Sequence, residues 1–177
     1  MKEILTEQLI LRNFVDSDAK GMLEYLSNPR AECFIDEKIT QIHEAVQRIK
    51  ESCSDDTHIA VCLKSSNAII GELFAIKEET DTYTVGWNFN EKYGGKGYAY
   101  ESANALFHYL FQSDARRIYA YVADDNPGSY KLCEKLGMRK EGHFLEFISF
   151  TNYPDGTPKY ENSYQYAILK KEWNKET

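Results

Sequence analysis

"YGGKGYAYES", Tyr93 to Ser102, decides the reading of this chain, because three glycines fall within four residues directly before a run that reads as a helix. Glycine loses more freedom on folding than any other residue, so such a cluster is costly unless used. A glycine-rich turn opening a helix lets backbone N–H groups close on an anion at the positive end of the helix dipole. Two phosphate loops are tested first. The P-loop string, ending in Gly-Lys-Ser/Thr, is absent. The dinucleotide pattern G-x-G-x-x-G fits Gly95 and Gly97 but meets Tyr100 at its third glycine, and the turn follows an antiparallel run instead of opening a βαβ unit.

Outward from the turn, periodicity sets the organisation. Upstream, "QLILR" alternates as a strand, "DSDAKGMLEYLSN" reads as a helix capped by Asp16 and ended by Pro29, and "TQIHEAVQRIKES" as a second helix capped by Thr40. "HIAVCLK", "AIIGELFAI" and "DTYTVGWNF" then form an antiparallel meander joined by polar turns. Downstream, Ala99, Ala103, Leu106, Leu110 and Phe111 make one apolar helix face. "RRIYAYVA" is a fifth strand. Asn126 and Pro127 open a short helix that Gly137 closes, and "HFLEFISF" and "ENSYQYAIL" are the last two strands. The pattern predicts one α/β domain over residues 1–177, a mixed, mostly antiparallel sheet of about seven strands with about four helices.

Composition narrows the function. A net charge of −7 and no basic stripe argue against a nucleic-acid partner. No leader and no apolar run of about 20 residues is visible, which points to a cytoplasmic protein without a membrane partner. Cys33, Cys53, Cys62 and Cys133 are scattered and read as reduced, mostly buried thiols; neither they nor the four histidines suggest a metal.

The segment Gly94–Ala99, "GGKGYA", resembles the [Q/R]-x-x-G-x-[G/A] loop of the GNAT superfamily of N-acetyltransferases, with Gly97 and Ala99 on pattern and Gly94 off it. The resemblance extends to "TEQLILR", to "DNPGSYKLCEKLGMRKEG" and to "YQYAILKKEW", which are similar to the RimJ/RimL-like branch, acetyltransferases of ribosomal-protein N-termini among them. It implies a sheet splayed between the fourth and fifth of the strands above, with acetyl-CoA as cosubstrate in the gap. Backbone groups of Trp87, Asn88 and Phe89 would pair with the pantetheine arm, as an added strand would. Gly94, Gly95, Lys96, Gly97, Tyr98 and Ala99 would hold the pyrophosphate, and Asn126 and Ser129 would contact the arm. Trp87 and Phe89 also read as core, and Asn126 as a helix cap. The tyrosine that many members use to protonate the thiolate is replaced here by Cys133.

Acetyl transfer needs a neutral amine, and an ordinary alkylamine is protonated at neutral pH, so a base is required. Glu72 is one candidate, on a strand face with Ile70, Phe74 and Ile76. Glu146 is the other, where the branch often carries an acidic residue. Ser129 is the best-matched hydroxyl for the leaving thiolate. The expected activity is direct transfer from acetyl-CoA to a primary amine, on a protein N-terminus or a small molecule, by a monomer or a homodimer. The rival is a coenzyme A-binding sensor or assembly protein with little turnover.

Overall fold

The computed structural model describes residues 2–29, 32–52 and 56–173. A two-residue strand β1 (Ile4–Leu5) precedes β2 (Leu9–Arg12), α1 (Ala19–Leu26) and α2 (Ile42–Ser52). The meander is β3 (His58–Leu63), β4 (Ile69–Glu78) and β5 (Thr82–Phe89). Then come α3 (Tyr98–Gln112), β6 (Arg117–Ala123), α4 (Pro127–Lys135), β7 (Arg139–Asn152), β8 (Pro158–Leu169) and the short α5 (Lys170–Trp173). The strands lie in the order β1-β2-β3-β4-β5-β6-β8-β7, eight against the seven expected, because Ile4 and Leu5 pair with Leu11 and Ile10. The anticipated fourth and fifth strands are thus β5 and β6.

Among the described residues every strand pairing is antiparallel except β5 with β6, and that one stops early. It joins Thr82 to Arg117, Tyr83 to Ile118 and Thr84 to Tyr119. Beyond Thr84 the strands diverge, although β5 stays paired with β4 as far as Phe89. This is the expected splay.

Helices cover the two faces differently. Ala103, Leu106, Phe107, Leu110 and Phe111 of α3, with Leu132 and Cys133 of α4, pack on Leu73, Val85, Ile118 and Tyr166 of the sheet. On the other face, α1 and α2 bury Met22, Tyr25, Leu26, Ala45 and Ile49 against Ala60, Cys62 and Ile69. That second cover lies over β3 and β4, and the short turn Glu32–Phe34 between its two helices reaches β7.

Local chemistry departs from the sequence reading at several points. Asp16 begins a 3-10 turn and caps nothing; Asp18 does the work, accepting the Val15 N–H at 2.9 Å and taking the two Arg12 nitrogens at 2.7 and 2.9 Å. Thr40 is likewise replaced, since Glu44 reaches back to the N–H groups of Thr40 and Gln41 at 2.7 and 2.8 Å. Ile70 does not share the Glu72 face: the β3–β4 register shifts there, pairing Cys62 with Ile69 and Val61 with Gly71, and Ile70 packs into the α3-side core. Cys62 and Cys133 are buried as expected, Cys33 is exposed, and Cys53 lies outside the described residues.

Among the described residues no helix is long and apolar enough to cross a membrane. Phe107 is completely buried under the sheet. Phe107→Ala is expected to lower unfolding stability by about 3–5 kcal/mol, seen as a lower urea midpoint at unchanged slope. A loss below about 1 kcal/mol would contradict this packing.

Candidate active site

The glycine turn has the geometry its sequence demanded. Gly95 and Gly97 hold φ of +74° and +85°, the left-handed region closed to most L side chains, and a Cβ at either would meet nothing within 4 Å. Conformation, not crowding, requires glycine there. Gly97 is also the N-cap residue of α3. The first-turn N–H groups of α3 have no carbonyl within the helix to bind, so they are available to an anion. Gly94 differs: its φ is −62°, and a Cβ would sit 3.1 Å from the Glu91 carbonyl oxygen. The turn is flanked by cations, with the Lys96 ammonium 5.8 Å from the Tyr93 ring centre and the Lys135 ammonium 4.3 Å from that of Tyr100.

From this turn the open edge of β5 leads inward. Trp87 and Phe89 point to the α3 side and pack against its core, while Asn88 points to the other face. The two readings of these residues therefore coexist: side chains pack while the backbone edge facing β6 is open beyond Thr84. Across the opening, the Trp87 indole donates to Ser129 Oγ at 3.2 Å. Ser129 thereby keeps its own hydroxyl hydrogen to donate. Asn126 caps α4, its Oδ1 accepting the Ser129 N–H at 3.1 Å. Cys133 is fully buried, and burial pushes its thiol up to about 12, so it holds its proton at neutral pH.

The chemically unusual place is the opposite face. Glu72 on β4 lies directly across from Asn88 on β5 and Ala60 on β3, and residues opposite one another share a face. His58 stands two residues from Ala60 on that face, with Nδ1 3.8 Å from a Glu72 carboxylate oxygen. Tyr25 comes down from α1 above them. Glu72, Asn88 and Tyr25 are 3%, 9% and 4% exposed. Tyr25 Oη, His58 Nδ1, Glu72 Oε1 and Asn88 Nδ2 are all buried without a hydrogen-bond partner. Native interiors satisfy nearly all such atoms, because each unpaired one costs about 1–3 kcal/mol. Orphans gathered in one place indicate a site that binds something polar.

Glu146 lies elsewhere. Between Phe144 and Ile148 three residues of β7 stand against one of β8, forming a wide bulge in which Glu146 takes φ of +48° and is exposed. Asn162 fixes it, accepting the Glu146 N–H at 2.9 Å and donating to Asp124 at 3.1 Å; Asp124 also meets His143 at 2.9 Å. That His143 contact holds the Asp124 carboxyl below its ordinary range. The bulge presents Phe144 and Phe147 beside Tyr121 of β6, with ring centres 5.0–6.0 Å apart. Tyr121 lies opposite Gln165, and Phe144 opposite Ser163, which pairs with Ala123. This shelf therefore shares the face of Glu72, on the β6-β8-β7 lobe. His58, Tyr25 and the shelf went unnoticed in the sequence, where nothing near them in the chain marks them.

A separate groove of about 570 Å³ runs along α3 from Gly97 to Gln112 beneath Ile4. No residue of β4 or β5 lines it. Among the described residues no group of three or more His, Cys, Asp or Glu is placed to hold a metal ion.

Comparison with known proteins follows the same outline. A family profile for the acetyltransferase (GNAT) domain matches residues 8–139. An uncharacterised N-acetyltransferase, YnaD of Bacillus subtilis (strain 168), is 33% identical over 97% of this chain and 99% of its own. The crystal structure of a GNAT-family acetyltransferase from Bacillus anthracis superimposes with a TM-score of 0.86 at 32% identity, covering 97% of this chain and 100% of that one. At 22% identity, a spermidine N-acetyltransferase from Vibrio cholerae solved with CoA and spermine shares the fold, with a TM-score of 0.75 over 94% of this chain and 98% of its own.

Gly97→Val forces a β-branched residue to a φ of +85° at the anion turn. It is expected to weaken acetyl-CoA binding at least tenfold in calorimetry while the protein stays folded by circular dichroism. Unchanged affinity would remove the turn from the site.

Proposed function

We propose, from the premise that this chain belongs to the GNAT family of acetyltransferases, that it moves the acetyl group of acetyl-CoA directly onto a primary amine in a ternary complex. The observation that carries the reading is the buried, half-orphaned Glu72 carboxylate beside the open half of β5. Gly94–Ala99 would receive the pyrophosphate, and the edge at Trp87, Asn88 and Phe89 would pair with the pantetheine amides. The thioester would then lie where β5 and β6 part. Asn126, which caps α4, and Ser129, which accepts from the Trp87 indole of β5, would contact the arm there.

In this arrangement Glu72 takes a proton from the ammonium, and the freed nitrogen attacks the thioester carbonyl. Backbone N–H groups of the unpaired edge are donors for the oxyanion. Ser129 donates a hydrogen bond to the departing sulfur, and as the tetrahedral adduct collapses the second proton of the attacking nitrogen passes to that thiolate, releasing amide and thiol. Glu146, on its exposed bulge, is the second candidate base and sits where the acceptor enters. Geometry favours Glu72, which is 3% exposed and lies opposite Asn88 on the half of β5 that β6 leaves unpaired, whereas Glu146 is exposed on its bulge. An acyl-enzyme on Cys133 fits poorly with a fully buried, protonated thiol.

The acceptor is a small-molecule amine or a protein N-terminus whose apolar body rests on Tyr121, Phe144 and Phe147. The RimJ/RimL-like motifs around Asp125–Gly142 favour the N-terminus, and the absence of a membrane-spanning helix among the described residues accords with a cytoplasmic setting. The rival, a CoA-binding protein with little turnover, draws support from Cys133 standing where a tyrosine acid would be. Thiol release with tyramine, spermidine and an Ala-terminated peptide separates the two. Glu72→Gln is expected to lower kcat by about 10²- to 10⁴-fold while acetyl-CoA still raises the melting temperature. Wild-type turnover in Glu72→Gln would transfer the base role to Glu146.

A further inference from the structure

A base buried as deeply as Glu72 solves one problem and creates another. Acetylation of a charged amine releases one net proton per turnover: the ammonium ends as a neutral amide, and the thiolate leaves as the thiol. Glu72 is 3% exposed, so the proton it accepts has no direct route to water. Unless it is passed on, the carboxyl stays neutral and the next amine stays charged.

Of the polar groups gathered around Glu72, His58 alone reaches outward. Its side chain is 27% exposed, while Nδ1 is buried, unpartnered and 3.8 Å from a Glu72 oxygen. One water or a small rotation of the carboxyl closes that separation. The ring is held by β3 and by Phe74, whose centroid lies 6.2 Å away. Imidazole is also the side chain that gains and loses a proton most readily near neutral pH.

Tyr25 cannot do the same. Burial, and next the charge of Glu72, hold its phenol well above the ordinary range, so it stays protonated. Asn88 has no proton to relay. The other charged or titratable groups acting on Tyr25 are Asp18, Arg48 of α2 and Cys62 of β3. Asp18 is already committed to Arg12, and burial pushes Cys62 up to about 12.

We infer that His58 is the proton outlet of this site, receiving at Nδ1 the proton that Glu72 takes from the acceptor and releasing one to water from the exposed side of the ring. The inference rests on Glu72 being the base. With the hydrogen on Nε2, Nδ1 is an acceptor. Protonation gives the imidazolium, loss of the Nε2 hydrogen discharges it, and a turn of the ring that brings Nδ1 to the exposed side lets exchange with water restore the first tautomer. Glu72 returns to the carboxylate, and no oxidant or further reactant is involved. His58 touches neither substrate nor cofactor in this scheme; it acts through Glu72.

The test uses the full chain with acetyl-CoA and whichever of tyramine, spermidine and an Ala-terminated peptide turns over fastest. His58→Gln and His58→Phe, the latter keeping the ring contact with Phe74, are expected to lower kcat about tenfold or more in dilute buffer. The KM for acetyl-CoA should not change. Added imidazole should restore much of the lost rate in both, and the same imidazole should leave Glu72→Gln unrescued. Wild-type kcat in His58→Phe, or a loss that imidazole does not repair and that follows a lower melting temperature, would overturn the outlet. If His58 variants are normal while Glu72→Gln is inactive, only the outlet fails. If Glu72→Gln is normal, or no amine turns over, the reading beneath it fails as well.

Discussion

The structure depends on an interruption. β5 and β6 begin as a parallel pair at Thr82–Thr84 and then part, so the second half of β5 keeps a neighbour on one side only. An unpaired strand edge inside a sheet is a liability that folded proteins usually cover. Here the helix that follows the strand begins at the end of that edge, and the left-handed glycines at 95 and 97 turn the chain so that α3 starts beside it. An anion at the helix N-terminus and an extended, amide-bearing arm along β5 would satisfy both sets of open backbone groups at once. Acetyl-CoA has that shape.

The two faces of the sheet differ in character. Trp87 and Phe89 tie β5 to the α3-side core, which gives the open edge a rigid backing. Asn88, between them, turns to the other face and meets Glu72. Under α1 and α2, four buried polar atoms on that face, from Tyr25, His58, Glu72 and Asn88, stand without hydrogen-bond partners. Beside it, the β7 bulge lifts two phenylalanines next to Tyr121. α1 and α2 thus cover one half of the face, and Tyr121, Phe144 and Phe147 stand together on the other.

Much of this was legible from the chain because the deciding signals are local. "YGGKGYAYES" announced a turn with positive φ before a helix, and the meander, the Asn126 cap and the Gly137 stop all stand where their short-range patterns put them. The errors arose where a residue several positions away supplied the capping group. Asp18 outcompetes Asp16 because Arg12, six residues earlier, holds it, and Glu44 displaces Thr40 by bending back one turn. Strict alternation placed Ile70 with Glu72, and a register shift against β3 moved it to the other side. Tyr25, His58, Glu72 and Asn88 come from four separate elements, so only the assembled sheet reveals them as a group. Of the four, burial potential had marked Glu72 alone as a candidate base.

Amide hydrogen exchange with and without acetyl-CoA tests the central claim, that the cofactor completes β5, most directly. Marked slowing is expected, confined to Gly86–Asn90 and the first turn of α3, with β7 and β8 unchanged. Slowing along the outer groove of α3 near Asn104–Gln112, with β5 unaffected, would contradict it.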